Sequence, residues 1–123
     1  MQILIDTHIF LWLLYDTKRI ELYHLDILRN TNNNLYISSV SIAEIMIKKS
    51  VGKLDVEFDM DLVLDKLKLE VLDFDLSSAS NIFSLPLHHR DPFDRMIISQ
   101  AITNKIQLLS YDKKFKLYDC ELL

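Results

Sequence analysis

Five acidic side chains, spread over four distant segments of the chain, have the types and spacing that could bind a metal ion. Two carboxylates about 4 Å apart repel by roughly 4 kcal/mol at an effective dielectric near 20, so acids that converge need protons or cations between them. Oxygen ligands favour hard divalent ions such as Mg²⁺ or Mn²⁺ and make zinc a poor candidate. The candidate ligands are Asp6, Glu44, Asp94 and Asp112, and the fifth acid, Asp91, stands one helical turn before Asp94.

The segment HHRDPFDRMIISQA, residues 88–101, places two of these acids at the start of an apolar helix. Asp91 followed by Pro92 is a common helix start, in which the aspartate accepts hydrogen bonds from free backbone N–H groups. Asp94, at the third helical position, could be explained by the helix dipole alone. Helical spacing nevertheless puts Asp94 on the side of Ile97 and Ile98, which predicts a carboxylate held against the core.

Glu44 also has a structural interpretation and a functional one. Ser41 to Glu44 spells the capping box S-x-x-E before an apolar helix. The same helix is expected to place Glu44 on one face with Val40, Ile47 and Val51, so that its carboxylate lies near packed surface. Capping alone does not require that position.

Asp6 and Asp112 each come at the end of a strand-like segment. The structural interpretation of Asp6 is a strand-end turn, and that of Asp112 is a cap for the following KKF. Each acid taken alone is explained as well by structure as by function. Four acids predicted at one edge of a sheet are harder to explain by capping.

Short apolar segments alternate with helical ones along the chain. Thr7 is predicted to cap a helix that carries IFLWLLY, and this helix is apolar on nearly every side. The predicted strands are QILI (2–5), Leu35–Ile37, EVLDF (70–74) and QLLS (107–110). The other predicted elements are helices at about Lys18–Asn30, 42–51, Ser77–Leu85 and Pro92–Asn104, an amphipathic stretch at Met60–Leu69, and a short element at Cys120–Leu122. This alternation predicts an α/β fold with a parallel sheet, whose ligands bind outside the carboxyl ends of the strands.

Length and composition predict one globular domain, residues 1–123. Half of the residues are hydrophobic, with one Gly and two Pro, which favours regular elements and short connections. The single cysteine, Cys120, suits a reducing compartment. The apolar run Ile9–Tyr15 is far shorter than the roughly 20 residues that span a bilayer. We therefore expect a cytoplasmic protein without a membrane segment or secretion signal.

Basic residues and histidines accompany the acids. The net charge of −4 argues against binding of nucleic acid by the whole surface, although local basic clusters could still bind it. His88 and His89 could ligate a softer metal but are expected to be solvated in a loop. Five basic side chains could form an ordinary mixed-charge surface or bind RNA phosphates: Lys48, Lys49, Arg95, Lys113 and Lys114.

Four segments, in order and spacing, resemble the PIN-domain ribonucleases and closely the VapC-type toxins of bacterial toxin–antitoxin pairs. They are ILIDTHIFLWLL, SSVSIAEI, LPLHHRDPFDRMIISQA and LLSYDKKF, and together the resemblance covers essentially the whole chain. The resemblance implies an α/β/α sandwich with a central, mainly parallel sheet. It also implies a Mg²⁺- or Mn²⁺-dependent endoribonuclease, the toxin of a type II pair, that is inhibited by a cognate antitoxin.

Carried over by motif, the resemblance makes Asp6, Glu44 and Asp94 ligands of one divalent cation, with Asp112 supporting it or a second ion. Metal-activated water would then hydrolyse RNA phosphodiesters and leave 5′-phosphate and 3′-hydroxyl ends. The outer shell of the site would include Thr7, Ser110 and Asp91, of which Asp91 has no settled contact with metal.

Two other functions and one assembly stay open. A phosphoacceptor receiver-like signalling domain is also α/β and of this length, with Asp73 or Asp75 as acceptor. A catalytically silent interaction module would use the acids as caps and the apolar first helix as a docking face. The same apolar helix also favours a homodimer.

Overall fold

The predicted strands form one four-stranded sheet in which every pair of neighbours is parallel. We describe a computed structural model that covers all 123 residues. At the short element predicted over Cys120–Leu122, only one bridge forms, between Leu122 and Leu108. The strands are β1 (Gln2–Ile5), β2 (Asn34–Ser38), β3 (Leu69–Leu72) and β4 (Gln107–Leu109), in the spatial order β3-β2-β1-β4.

Six α-helices cover the sheet. They are α1 (Thr7–Tyr15), α2 (Leu22–Arg29), α3 (Ser39–Ser50), α4 (Met60–Leu67), α5 (Leu76–Asn81) and α6 (Pro92–Asn104). Single 3₁₀ segments occur at Thr17–Arg19, Ile82–Ser84 and Lys113–Leu117. The α/β/α sandwich with a parallel central sheet is therefore confirmed.

Side-chain alternation along the strands divides the core between the two faces of the sheet. Ile3 and Ile5 belong to a buried cluster that α1, α2 and α4 help to cover. Leu4, between them, lies in the second cluster, together with Ile97 and Ile98 of α6. All five side chains are fully buried, which confirms that QILI is a strand covered on both faces.

The helices predicted at about Lys18–Asn30 and Ser77–Leu85 are wrong in extent. The helix expected over Lys18–Asn30 begins only at Leu22, because Ile20 is extended (φ −99°, ψ 131°) and its side chain is buried in the core. The helix expected over Ser77–Leu85 changes to 3₁₀ geometry at Ile82. In the first case burial of a single side chain outweighs the local helical pattern.

The first helix is not buried on every side by the chain itself. Ile9 and Phe10 are completely inaccessible, whereas the four residues that follow, Leu11 to Leu14, are half-buried. None of the helices has the length and apolar character that crossing a membrane requires.

Candidate active site at the carboxyl edge of the sheet

The register of the two neighbouring strands brings Asp6 to the segment that follows β4. Ile5 pairs with Leu109, and the next backbone N–H, that of Asp6, donates to the Leu109 carbonyl oxygen at 3.1 Å. Ser110 follows directly, and its hydroxyl oxygen accepts from the Asp112 N–H at 3.1 Å. Residues about 100 positions apart in sequence therefore meet at one edge of the sheet, as a parallel sheet predicts.

Asp6 is a buried carboxylate that caps α1. Its Oδ1 accepts from the Ile9 N–H at 2.8 Å, and only 4% of the residue is exposed. The prediction that Thr7 caps this helix is therefore wrong, because Thr7 is already its first helical residue. Burial raises the pKa of the Asp6 carboxyl, interaction with the Ser110 hydroxyl lowers it, and the charge of Asp112 raises it further.

Glu44 is also buried, at 3% exposed, and its two carboxylate oxygens have different partners. Thr7 Oγ1 donates to Oε1 at 2.8 Å, and Lys48 Nζ donates to Oε2 at 2.6 Å. Ser41 Oγ lies 2.9 Å from the same threonine oxygen. Since a hydroxyl carries one proton, Thr7 is the donor to Glu44 and the acceptor from Ser41.

The capping box predicted at Ser41 does not form. Ser38 caps α3 instead, accepting from the Val40 N–H at 3.0 Å, so Ser41 is three residues inside the helix and Glu44 is in its second turn. The predicted face is also wrong, since Ile47 is 50% exposed. Val51, predicted on the same face, is 62% exposed. The chain enters α3 three residues earlier than predicted because β2 ends directly at the helix cap.

Asp94 and Asp91 begin α6 as the sequence predicts. Asp91 Oδ1 accepts from the Phe93 and Asp94 N–H groups at 2.9 and 3.2 Å, and Pro92 is the first helical residue. Burial raises the pKa of Asp94 to about 7, and the charges of Asp91, Asp6, Glu44 and Asp112 raise it in that order. The charges of Asp6, Glu44 and Asp112, the other predicted acids, therefore act on Asp94, and together with burial they oppose its ionisation.

Asp112 lies at the exposed side of this cluster. Its carboxylate caps the 3₁₀ segment that follows, accepting from the Lys114 N–H at 2.9 Å. This confirms its predicted capping role. The same carboxylate contributes to the raised pKa of both Asp6 and Asp94, so it faces the cluster as well.

Lys48 is the cation of the cluster. Its ammonium pairs with Glu44 one helical turn earlier, and its side chain is 42% exposed. The hydrogen bond to Glu44 raises the pKa of Lys48 most, while the charges of Asp91 and Asp94 raise it further. One lysine therefore offsets part of the negative charge of several acids.

The other basic candidates have different surroundings. Arg95 Nη1 donates to the Pro86 carbonyl oxygen at 2.8 Å and to the Tyr118 hydroxyl at 3.3 Å. The ammonium of Lys49 lies 5.6 Å from the centre of the Phe58 ring. Lys113 and Lys114 are exposed next to Asp112.

His89 is a buried residue of the site that sequence reasoning missed. His88 is exposed, as expected for a loop, but His89 is only 8% exposed, so its predicted solvation is wrong. Its Nδ1 lies 2.7 Å from the Tyr118 hydroxyl, and its Nε2 lies 3.4 Å from Asp94 Oδ2. Burial lowers the pKa of His89. No periodic pattern marks a loop residue whose partner is 29 positions away.

The carboxylate oxygens of the cluster are suitable ligands for a hard divalent cation, but their side chains are not yet arranged around one point. The grouped side chains are carboxylates, and the pKa of Asp94 is raised by burial and by the neighbouring acids, an effect that a bound cation would oppose. No three His, Cys, Asp or Glu side chains already stand in a metal-holding arrangement. Metal binding would therefore require side-chain rotation, with Glu44 exchanging its contact with Lys48.

Fold and site define a parallel α/β protein with an acidic cluster at its strand ends. The family model for the PIN domain matches residues 3–119, so the chain belongs to the PIN domain family. A comparison with curated protein sequences gave no match.

Three solved structures with this fold are VapBC complexes. VapBC2 from Rickettsia felis, bound to a promoter DNA fragment, is 23% identical, with a TM-score of 0.75 over 100% of this chain and 97% of that one. DNA-bound VapBC from Salmonella typhimurium is 19% identical, with a TM-score of 0.68 over 99% and 96%. VapBC-1 from nontypeable Haemophilus influenzae is 17% identical, with a TM-score of 0.66 over 100% and 97%.

Proposed function

We propose that this protein is a Mg²⁺- or Mn²⁺-dependent endoribonuclease that acts as the toxin of a type II toxin–antitoxin pair. The observation that carries the proposal is the Asp94 carboxyl, whose pKa is raised to about 7 by burial and by four neighbouring acids. Without a divalent cation, a cluster of this kind opposes the ionisation of its own carboxyl groups. Membership of the PIN domain family and the likeness to VapBC complexes support the same function.

Asp6, Glu44 and Asp94 would hold one divalent cation, with Asp112 supporting it or a second ion. The cation supplies Lewis acidity, which lowers the pKa of bound water and stabilises charge on the scissile phosphate. Thr7 keeps one oxygen of Glu44 in place. Asp94, whose pKa burial and the neighbouring acids raise to about 7, would release its proton as positive charge enters the cluster.

RNA would approach from the exposed side, where Lys113 and Lys114 flank Asp112. Contacts of this kind hold the phosphate backbone and carry no base specificity. Arg95, Lys48 and Lys49 already have protein partners, so a role for them in RNA binding requires exchange of those contacts.

A cognate antitoxin and a second copy of the chain are the partners that this function implies. The half-buried apolar residues of α1 and the exposed Leu22 and Tyr23 at the start of α2 offer apolar surface for either partner. By analogy with the DNA-bound VapBC complexes, the pair with its antitoxin would also bind its own promoter.

The receiver-like alternative is disfavoured by the strand order. Asp73 and Asp75 follow β3, which is separated from β1 and Asp6 by β2, a distance of about 10 Å at the usual strand spacing. Asp75 is engaged as the cap of α5. A receiver site would need its acceptor beside the other acids.

The function is tested with purified protein, RNA and either Mn²⁺ or EDTA. We expect cleavage with Mn²⁺, none with EDTA, and a loss of at least about 100-fold in Asp6→Asn. The matched control is Asp65→Asn, an exposed acid on α4 that should cleave normally. EDTA-resistant cleavage, or full activity of Asp6→Asn, would contradict the proposal.

A silent interaction module is separated from the nuclease by thermal unfolding. An ion that binds only the folded state raises its stability. We therefore expect Mn²⁺ to raise the Tm of the wild type and to leave the Tm of Asp6→Asn unchanged. Equal Tm values with and without Mn²⁺ would favour the silent module.

A further inference from the structure

We propose that His89 is a positioning residue, which orients the Asp94 carboxylate through its Nε2–H in a tautomer that Tyr118 imposes. The catalytic consequence of this arrangement rests on the proposed function. The geometry of the arrangement does not rest on the proposed function, because it follows from the hydrogen bonds around the Tyr118 hydroxyl oxygen.

The Tyr118 hydroxyl oxygen has three neighbours, and two of them can only donate. The His89 backbone N–H donates to it at 3.2 Å, and Arg95 Nη1 donates at 3.3 Å. A phenolic oxygen has two lone pairs and one proton. Both lone pairs are therefore used, and the proton is left for the third neighbour, His89 Nδ1, at 2.7 Å.

This arrangement determines the tautomer of the imidazole. Because Nδ1 accepts the Tyr118 proton, the single proton of the neutral ring must be on Nε2. A doubly protonated ring would have to donate from Nδ1 to an oxygen that has no lone pair left. The hydrogen-bond inventory of Tyr118 thus selects the neutral Nε2–H form.

The Nε2 atom of His89 lies beside the acidic cluster and has no hydrogen-bond partner. The atom is completely buried and makes no hydrogen bond, while Asp94 Oδ2 lies 3.4 Å away. A buried N–H without an acceptor is unfavourable, so it attracts the one carboxylate within reach. The Asp94 side chain is 20% exposed, and a small rotation would shorten the contact to hydrogen-bond length.

A positioning role predicts an effect on metal binding that packing alone would not produce. Partners that orient a metal ligand typically change metal affinity or activity by about 10- to 100-fold. Once the Nε2–H of His89 binds one carboxylate oxygen of Asp94, the other oxygen would keep a defined direction towards the cluster.

The tautomer is tested on metal-free protein by NMR of ¹⁵N-labelled histidine side chains at pH 8. His89, assigned by its absence in His89→Gln, should give the pattern of an Nε2–H tautomer. Tyr118→Phe should weaken that preference, and Asp94→Ala should shift the Nε2 resonance. An Nδ1–H tautomer, or a resonance unaffected by Asp94→Ala, would overturn the proposal.

Mn²⁺ affinity, measured by calorimetry, tests the consequence. Gln can still donate at the position of Nε2, so His89→Gln should bind within about threefold of the wild type, whereas His89→Leu should bind about 10- to 100-fold more weakly. The control is His24→Leu, which removes another buried histidine paired with a tyrosine and should leave affinity unchanged. Equal affinity of His89→Leu and the wild type would overturn the positioning role.

A wild type that binds no Mn²⁺ would contradict the proposed function, and the NMR result would still decide between the two tautomers. Comparable circular dichroism of the Gln and Leu variants excludes unfolding as the cause of a difference between them.

Discussion

Two histidine–tyrosine pairs pack on the two faces of the sheet, and only the His89 pair has a carboxylate within ion-pair distance of its histidine. His24 Nδ1 lies 2.7 Å from the Tyr111 hydroxyl, the same separation as between His89 and Tyr118. In each pair a backbone N–H also donates to the phenolic oxygen, and in each the histidine Nε2 is buried without a hydrogen bond.

The pairs differ in what surrounds these shared groups. Tyr118 accepts a further hydrogen bond from Arg95, whereas Tyr111 has a lone pair to spare, so only His89 has its tautomer imposed. Asp94 is the carboxylate within ion-pair distance of His89, and no carboxylate lies that close to His24. The same kind of histidine–tyrosine pair therefore contributes only to packing at His24, whereas at His89 it also contacts an acid of the candidate site.

The largest expected effect comes from removing the acid that distinguishes the two pairs. Asp94→Asn should lower RNA cleavage at least about 100-fold, because a metal ligand and its charge are lost. It should also raise the Tm of metal-free protein at pH 8, since like-charge repulsion at a buried site is relieved. Cleavage by Asp94→Asn at the wild-type rate would show that activity does not need Asp94, and the two pairs would then not differ in function.

Truncation of the two histidines should separate stability from activity. His24→Leu and His89→Leu should both destabilise the fold by about 1 to 3 kcal/mol, because each leaves a tyrosine hydroxyl without its partner. Only His89→Leu should slow cleavage, by about 10- to 100-fold. Denaturant unfolding and single-turnover cleavage check these outcomes, and an equal loss of activity in both variants would show that the pairs are equivalent.

The pH dependence of metal binding reports on Asp94. Its pKa is 3.8 without perturbation and about 7 in the folded protein, so the fold binds this proton more tightly than the unfolded chain does. Its contribution to stability is therefore complete below about pH 4 and is lost as the pH rises towards 7.

To bind the Asp94 carboxylate, Mn²⁺ must displace the proton that this group holds at low pH. Apparent affinity should fall about tenfold for each pH unit below 7 and level off above it. Calorimetry between pH 5.5 and 8.5 measures the slope, with His24→Leu as the control that should follow the wild type. An affinity independent of pH over this range would contradict the assignment of the proton to a metal ligand.

The smallest expected effect comes from replacing Lys48, the lysine that pairs with Glu44. Lys48→Met removes the ammonium that competes for Glu44, so Mn²⁺ should bind a few-fold more tightly, while metal-free protein becomes less stable because a buried carboxylate loses its partner. Lys49→Met, at the neighbouring position, should leave the Mn²⁺ affinity unchanged. Weaker Mn²⁺ binding by Lys48→Met would instead assign this lysine a supporting role.

Local sequence signals predicted the elements that carry the acids more reliably than the partners of those acids. Asp91 before Pro92 correctly marked the start of α6, since a cap and a proline act within one turn. Ser41 was a misleading signal, because Ser38 could cap the same helix and the end of β2 decided between them.

What the sequence by itself determined is the order of strands and helices, the parallel sheet and the placement of Asp6, Asp91, Asp94 and Asp112 at strand and helix ends. These features depend on hydrophobic periodicity and on caps, which involve residues close together in the chain. Only the tertiary structure decided that Lys48 pairs with Glu44, that Asp94 holds its proton near neutral pH and that His89 is buried against Tyr118. Desolvation and the pairing of distant side chains depend on which surfaces exclude water together, and no local pattern encodes that.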